Sequence, residues 1–277
     1  MRLLRRFATR FLRALVQLKL NHPFRRTVDR LAPLLTMAAI LAAWEAACRV
    51  FELPVFLVPS PTAIWQAAST VSYGEWVGHI TSTLRVALTG YLISIVISLP
   101  IAIAIALSPI MSRTIYPILI VIHSTPIVAV APIIVVLLGV EDAPKIVITC
   151  IITFLPLVIS TATGLLSVPD EFIELSRSLK ASRVREIIQI RLPYAVPHIF
   201  SALKVSITLA VIGSVVAEFV AADRGLGYAI LLATSTFKIP QAFALLSALI
   251  ALSLILFQIV IVAQAVLFPW SLPRAQK

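Results

Sequence analysis

A charged, amphipathic segment, SVPDEFIELSRSLKASRVREIIQIRLP (residues 167–193), separates two strongly apolar stretches of the sequence. Pro169 and Asp170 predict the start of a helix, because proline is preformed for the first helical turn and the helix dipole favours an acidic residue there. A second amphipathic helix is predicted over 183–192, with four apolar side chains on one side: Val184, Ile187, Ile188 and Leu192. Such a segment between apolar stretches indicates a surface that a soluble partner binds.

The composition is that of an integral membrane protein. Of the 277 residues, 60% are hydrophobic and only 13% are charged, and the mean hydropathy is +1.03. A soluble domain typically has about 25% charged residues. The length corresponds to one membrane domain and leaves no room for a separate soluble enzyme domain. The two cysteines, Cys48 and Cys150, lie in apolar stretches without metal-ligand spacing, so we expect buried thiols and no metal site.

Six stretches are long and apolar enough to cross the hydrocarbon core as helices, which takes about 20 residues each. They are 31–50, 84–107, 116–140, 146–166, 201–221 and 243–268. The expected fold is therefore an all-α polytopic membrane protein with a transmembrane domain over 31–270. A basic amphipathic segment over 1–30 precedes this domain, and a short tail over 271–277 follows it.

The net charge of +11 indicates membrane topology rather than nucleic-acid binding, because the basic residues are unevenly placed. Nine of the 23 Lys and Arg residues lie in 1–30, and the segment 51–83 contains none. By the positive-inside rule, both termini and the segment 167–193 face the cytoplasm. Residues 1–20 also place apolar side chains at helical spacing with arginines opposite, which predicts a helix lying on the lipid headgroups.

The segment 167–193 resembles the EAA loop of ABC-transporter membrane subunits, in which Glu-Ala-Ala is followed by a glycine and then by Ile-x-Leu-Pro. Glu174 holds the glutamate position, while Leu175 and Ser176 stand where Ala-Ala is usual. Lys180 occupies the glycine position and bears about 1–2 kcal/mol of strain if that position needs a positive φ. The resemblance covers about residues 31–270 and implies the fold of a type I importer permease.

In that family the loop forms a short coupling helix that docks into a groove on a cytoplasmic ATPase. The residues that the resemblance assigns to ATPase coupling are Glu171, Glu174, Leu175, Ser176, Arg177, Leu179, Lys180, Ala181, Ser182, Ile190, Leu192 and Pro193. Among them we expect Glu174 and Arg177 to make docking contacts, with Leu175 and Leu179 as apolar anchors.

A second resemblance lies in the segment that links the first two predicted spans. Its Phe56-Leu57-Val58-Pro59-Ser60-Pro61 matches the Phe-Leu-x-Pro-Ser-Pro pattern of one permease branch, the sulfonate, taurine, nitrate and thiamine-precursor importers. This similarity implies a small solute of the aliphatic sulfonate or taurine, nitrate, or thiamine/pyrimidine-precursor type. Ser60, Pro61 and Thr62 also predict the N-terminus of a short helix on the outer side.

Polar residues within the apolar stretches are candidates for a translocation pathway. His123, Ser124, Thr125 and Pro126 break the third predicted span, and broken membrane helices often line pathways. Ser94 and Thr153 offer hydroxyls that either line a pathway or pack helices together. Glu218 precedes Gly225-Leu226-Gly227-Tyr228, so its carboxylate either holds that turn or faces the pathway. Glu45 is expected to pair with Arg49 one turn later.

The expected partners follow from the family resemblance and from one missing motif. The sequence contains no phosphate-binding G-x-x-x-x-G-K-[ST] loop, so ATP and Mg are expected on a separate ATPase chain and this chain is expected to be non-catalytic. The resemblance implies an ATPase dimer, a second permease copy or a paired paralogue, a periplasmic or lipid-anchored solute-binding protein, and a bacterial inner membrane whose lipids surround the spans.

Two other classes of membrane protein would require other residue patterns in the sequence. An ion-coupled secondary transporter working without an ATPase would need a relay of intramembrane carboxylates or histidines and inverted repeats. Glu45, His123 and Glu218 form no evident relay, and no repeat is visible. A membrane-embedded enzyme would need clustered catalytic groups, which the sequence also does not show.

Overall fold

A computed structural model describes residues 22–272 of the chain, and over that range the backbone is all-α without a strand. The predicted headgroup helix over 1–20 and nearly all of the predicted tail over 271–277 lie outside the described residues. The chain divides into two compact units, Met1–Ala63 and Ile64–Lys277.

The first unit contains helix α1 (His22–Val50) and the start of helix α2 (Pro61–Thr70). Glu45 connects them. One of its carboxylate oxygens accepts the Thr62 backbone N–H at 3.0 Å, and the other accepts the Thr62 hydroxyl at 2.9 Å. Arg49 pairs with the same carboxylate at 2.7 Å, as expected from their spacing. Glu45 therefore caps the start of α2 together with Ser60, whose hydroxyl accepts the Ala63 N–H at 3.3 Å.

The second unit consists of helices joined by short turns. After α2 the order is α3 (Tyr73–Leu107), α4 (Pro109–Ser124), α5 (Ile127–Leu138), α6 (Asp142–Leu166), α7 (Asp170–Ser178), α8 (Arg183–Glu186), a π-helical turn (Ile187–Arg191), α9 (Leu192–Val220), α10 (Leu226–Ser235), α11 (Ile239–Leu267) and a final 3₁₀ turn (Pro269–Ser271).

Within the described residues, four helical stretches are long and apolar enough to cross a membrane: α3, α6, α8 to α9, and α11. The pair α4 and α5 makes up to a fifth span that is bent by 92°. The predicted first span, 31–50, falls inside α1, which that count does not include. Five of the six predicted spans thus coincide with these helices, if the bent pair is taken as one span.

Helix α3 begins at Tyr73, well before the predicted start of the second span at residue 84. A capping box explains this: the Ser72 hydroxyl accepts the Glu75 N–H at 3.3 Å, and the Glu75 carboxylate accepts the Ser72 N–H at 3.1 Å. The polar first turns lower the local hydropathy without interrupting the helix. The prediction from hydropathy therefore located the apolar part of the helix but not its beginning.

Helix α6 lies at the centre of the second unit and packs against both α3 and α9. Thr149 on α6 faces a glycine on each neighbour. A Cβ atom added at Gly90 of α3 would lie 2.7 Å from Thr149 Cβ, and one added at Gly213 of α9 would lie 3.0 Å from Thr149 Cα. The two glycines thus allow both helices to approach α6 closely, as small residues do in membrane bundles.

The break between α4 and α5 lies at Thr125 and Pro126, within the predicted third span. Hydroxyls next to the break donate hydrogen bonds to backbone carbonyls of the preceding turn. Ser124 Oγ donates to the Ile120 carbonyl at 2.8 Å, and Thr125 Oγ1 donates to the Val121 carbonyl at 3.0 Å. The proline and these two bonds account for the sharp bend.

Candidate functional site

Helix α7, the predicted coupling helix, ends in a Schellman motif. The Lys180 N–H donates to the Arg177 carbonyl at 2.9 Å, and the Ala181 N–H donates to the Ser176 carbonyl at 3.0 Å. Lys180 has φ +52°, in the left-handed region that favours glycine. The residue at the family's glycine position therefore does adopt a positive φ, and the lysine side chain there costs about 1–2 kcal/mol.

One face of the coupling segment carries exposed apolar side chains. Leu179 is 74% exposed and Leu175 is 57% exposed. The apolar patch comprises Phe172, Leu175 and Leu179 with Val184 and Ile188 from the second half of the segment. A cluster of exposed apolar residues next to charged ones is typical of a protein interface.

A neighbouring face of α7 packs on the bundle. Ile173 and Ser176 are both buried, so Ser176 does not present its side chain on the surface with Leu175. Asp170, Glu174 and Arg177 lie along a further face of the helix and line a cleft of about 380 Å³, together with Leu166, Val168, Ile173 and Arg191. Glu174 and Arg177 are thus exposed at a cleft edge rather than within the apolar patch.

A buried ion pair holds the second half of the segment. The Arg191 Nε lies 2.8 Å from the Glu186 carboxylate, and its Nη1 donates to the Leu165 carbonyl at 3.0 Å. The Glu186 side chain is 3% exposed and that of Arg191 is 12% exposed. Arg191 therefore connects the coupling segment directly to the end of the central helix α6. Neither residue stood out in the sequence, where both appeared as ordinary loop charges.

The predicted helix over 183–192 is continuous with α9 instead of ending before it. Ser182 caps its start, accepting the Arg185 N–H at 3.3 Å. The next turn is π-helical, with the Leu192 N–H bonded to the Ile187 carbonyl. Pro193 has no N–H and its ring clashes with an α-helical carbonyl, which explains the wider turn. Ile190 and Leu192 are partly buried here, and Pro193 is exposed.

The remaining coupling residues assigned from the sequence differ little in exposure. Glu171 and Lys180 are exposed, as is Ser182, while Ala181 is partly buried in the turn between the two helices. Of the twelve residues assigned to coupling, eight are exposed, Ala181, Ile190 and Leu192 are partly buried, and Ser176 is buried.

Glu218, near the end of α9, contacts the turn that begins α10 and is 1% exposed. Its Oε2 accepts the Gly227 N–H at 2.7 Å, and its Oε1 accepts the Thr83 hydroxyl at 2.8 Å. The Thr83 oxygen in turn accepts the Leu226 N–H at 2.8 Å. Gly225, at φ +124°, leaves no space for a side chain, because an added Cβ would lie 2.3 Å from the Glu218 Cδ. This geometry is that of a carboxylate holding a turn.

The other candidate pathway residues separate into two groups. Ser94 and Thr153 are fully buried between α3 and α6, with their hydroxyl oxygens 2.5 Å apart. His123, Ser124, Thr125 and Pro126 are all exposed at the break between α4 and α5. Within residues 22–272, no three His, Cys, Asp or Glu side chains come together as metal ligands.

Comparisons with known proteins agree with this architecture. Residues 94–271 match the family model described as "Binding-protein-dependent transport system inner membrane component". A probable ABC transporter permease protein from Haemophilus influenzae is 31% identical over 82% of this chain and 92% of its own length. The formylaminopyrimidine transport permease protein ThiX from Halalkalibacterium halodurans is 28% identical over 89% of this chain and 98% of its own length.

Among solved structures, an inward-facing MetNI methionine ABC transporter chain superposes with a TM-score of 0.60 at 21% identity, covering 73% of this chain and all of that chain. This similarity concerns the fold alone. The family match and the relative in H. influenzae together show that the chain is a multi-pass inner-membrane permease subunit of the ABC importers.

Proposed function

We propose that this permease couples to a cytoplasmic ATPase dimer through the apolar patch of residues 167–193. ATP and Mg bind the ATPase chains, and this chain is the non-catalytic subunit that forms the pathway. The solute is small and of the aliphatic sulfonate or taurine, nitrate, or thiamine/pyrimidine-precursor type. The Phe-Leu-x-Pro-Ser-Pro match and the similarity to a formylaminopyrimidine permease support this range.

The observation that carries the proposal is an exposed apolar surface on a helix that also packs on the bundle. Phe172, Leu175 and Leu179 face outward from α7, while Ile173, on another face of the helix, is buried. Binding of a partner that removes these side chains from water is favourable by about 25 cal/mol per Å² of apolar surface buried. The Schellman motif already orders the turn beyond α7, so binding a partner at this patch costs less conformational entropy.

The Glu186–Arg191 ion pair supplies a route for coupling. Arg191 connects the segment to the Leu165 carbonyl at the end of α6, and α6 packs on α3 and α9. A movement of the coupling segment would therefore displace the central helix rather than bend a loose loop. In the proposed cycle, closure of the ATPases moves the segment and switches the accessibility of the pathway.

The proposed assembly contains two permease copies, an ATPase dimer and a periplasmic or lipid-anchored solute-binding protein. The chain's termini and residues 167–193 lie in the cytoplasm, as the distribution of basic residues favours. The segment containing α2 then lies on the outer side, where the binding protein delivers its solute.

The test is co-purification of this chain with the tagged ABC-type ATPases of the source organism, each co-expressed in turn. We expect one ATPase to retain the wild-type chain and to lose it with Leu175→Asp, which puts a charge into the apolar patch. Glu174→Ala should weaken retention. Gln66→Asp is the matched control, because it puts the same charge on an exposed residue of α2 and should leave retention unchanged.

Two results contradict the proposal. One is that no ATPase retains the wild-type chain, and the other is that Leu175→Asp and Gln66→Asp behave alike. The first result would favour the alternative class, an ion-coupled secondary transporter that works without an ATPase, whereas the second would show that the apolar patch is not where the ATPase binds.

A further inference from the structure

Side chains from α3 and α9 bond the first N–H groups of α10. The Gly225 N–H donates to His79 Nδ1 at 3.2 Å, and the Leu226 N–H donates to the Thr83 hydroxyl at 2.8 Å. The next N–H donates to the Glu218 carboxylate at 2.7 Å. His79 and Thr83 lie four residues apart on α3, so one face of that helix holds the turn that precedes α10.

The bond from Gly225 fixes the protonation state of the His79 ring. A backbone N–H only donates, so the Nδ1 that accepts it carries a lone pair and the ring is the neutral Nε2–H tautomer. A proton on Nδ1 would remove the acceptor and place two N–H groups against each other. The imidazolium would also lie at the N-terminus of α10, where the helix dipole disfavours a cation. The observed bond therefore exists only while His79 is neutral.

The charged groups around His79 act in the opposite direction to this bond. The titratable and charged side chains near the ring are Glu75 on α3, Glu218 on α9, Asp223 and Arg224 in the turn, Tyr228 on α10 and Lys238 before α11. Three carboxylates and two cations leave a net charge of −1 when all of them are ionised, which favours the imidazolium. Because the two effects oppose each other, we expect proton uptake in the mildly acidic range where histidine ordinarily titrates.

A cavity next to the ring gives a proton access to it. His79 lines this cavity of about 220 Å³ together with Glu75, Gln241 and Lys238. A space of this volume with polar groups in its wall has room for water, through which a proton reaches the ring. In the proposed topology this end of α3 lies on the outer side, because the segment 51–83 contains no basic residue.

We propose that His79 is a pH-sensitive contact that holds the turn 221–225 at neutral pH and releases it in mild acid. Protonation of Nδ1 breaks the bond from Gly225, while the bonds to Thr83 and Glu218 keep α10 in place. The released turn then opens more often, without unfolding of the bundle. This device lies at the outer end of the proposed permease and depends neither on the ATPase contact nor on the identity of the solute.

The test is amide hydrogen exchange of the purified full-length chain in detergent, measured by mass spectrometry. Exchange is compared at about pH 7.5 and about pH 5, on either side of the ordinary histidine pKa of about 6.5. Rates are corrected for the intrinsic effect of pH on amide exchange. We expect residues 221–230 to exchange roughly five-fold faster at the lower pH, as the loss of one hydrogen bond gives. Residues 145–165 of the central helix α6 should show no such change.

Two variants of His79 separate the imidazole from the other titrating groups. His79→Asn offers a carboxamide oxygen as an acceptor that does not titrate, so exchange should stay slow at both pH values. His79→Leu has no acceptor and should exchange fast at both. His123→Asn, at an exposed histidine of α4, is the matched control and should keep the wild-type pH dependence. Glu218 is present in every variant, so only the part of the pH dependence that His79→Asn removes belongs to the imidazole.

A second measurement on the wild-type chain does not depend on how the variants fold. With ¹⁵N-labelled histidine, we expect a neutral His79 ring with an unprotonated Nδ1 at about pH 7.5 and a doubly protonated ring at about pH 5.

Three results would overturn the inference: equal corrected exchange of 221–230 at both pH values in wild type, a pH dependence that survives His79→Asn, or a protonated Nδ1 at about pH 7.5. ATPase retention by the wild-type chain is measured separately and decides the proposed function alone.

Discussion

The Glu218 carboxylate spans the turn at the start of α10, with Oε2 2.7 Å from the Gly227 nitrogen and Oε1 2.8 Å from the Thr83 hydroxyl. Glu218 belongs to α9 and Thr83 to α3, so one buried carboxylate connects three helices. Such an arrangement stabilises the turn by satisfying backbone N–H groups that would otherwise be unpaired.

Replacing Glu218 should therefore destabilise the fold. Glu218→Ala leaves the Gly227 N–H and the Thr83 hydroxyl without their acceptor, at a cost of roughly 1–3 kcal/mol for each group. Glu218→Gln keeps one acceptor oxygen and should cost less. Thermal unfolding in detergent gives the order, with wild type most stable and the alanine variant least. Equal stability of the alanine variant and wild type would show that the carboxylate does not hold the turn.

Gly225 should tolerate alanine worse than any glycine with open surroundings. Its φ of +124° is strained for other residues, and the added Cβ would lie 2.3 Å from Glu218 Cδ. Gly139 is the matched control, because it has φ +88° but nothing within 4 Å of an added Cβ. We expect Gly139→Ala to cost about 1–3 kcal/mol from the backbone alone, because essentially only glycine adopts φ +88° with ψ −174°, and Gly225→Ala to cost clearly more. Equal shifts in the unfolding midpoint would contradict the crowding at Gly225.

Lys180→Gly should stabilise the coupling segment. Glycine removes about 1–2 kcal/mol of left-handed strain. It also raises the conformational entropy of the unfolded chain, which lowers the stability by about 0.4–1 kcal/mol. The net gain of roughly 0.5–1 kcal/mol should slow amide hydrogen exchange across 171–182 by about two- to five-fold. Lys180→Ala removes the same charge but keeps the strain, so it should exchange as fast as wild type. A similar slowing in both variants would point to the charge instead.

The Glu186–Arg191 pair should show strong coupling in a double-mutant cycle. Arg191→Met leaves a carboxylate that is 3% exposed with only Arg183 at 4.0 Å, so we expect a loss of about 3–5 kcal/mol. Adding Glu186→Met should recover most of this loss, because no buried charge then remains. Arg185→Met, at an exposed position of the same turn, is the control and should have little effect. Additive effects of the two buried substitutions would mean that the pair is not coupled.

Local features of the coupling segment were predictable from the sequence because a recognisable motif fixes their positions. The glycine position of the EAA loop marked Lys180 for a positive φ, and Pro126 marked the break in the third span. Proline and left-handed backbone act within one turn, so a single sequence is enough to locate them.

Features that depend on tertiary packing were not predictable in this way. The ion pair between Arg85 and Asp142 joins residues that are 57 apart in the chain, and no periodicity relates them. Arg191 appeared as one of several loop charges, although the fold buries it against Glu186. Ser176 follows Leu175 directly, yet it faces the bundle while Leu175 faces outward. Only the docking of α7 on the bundle decides which face is covered.

Site-specific photo-crosslinking to the purified ATPase tests the central claim most directly. A photoreactive amino acid replaces Leu179, which is 74% exposed in the apolar patch, and in a second protein it replaces Gln66 on α2. The account predicts a crosslink from position 179 whose yield falls when Leu175→Asp is added, and none from position 66. The absence of a crosslink from position 179, or equal crosslinks from both positions, would contradict it.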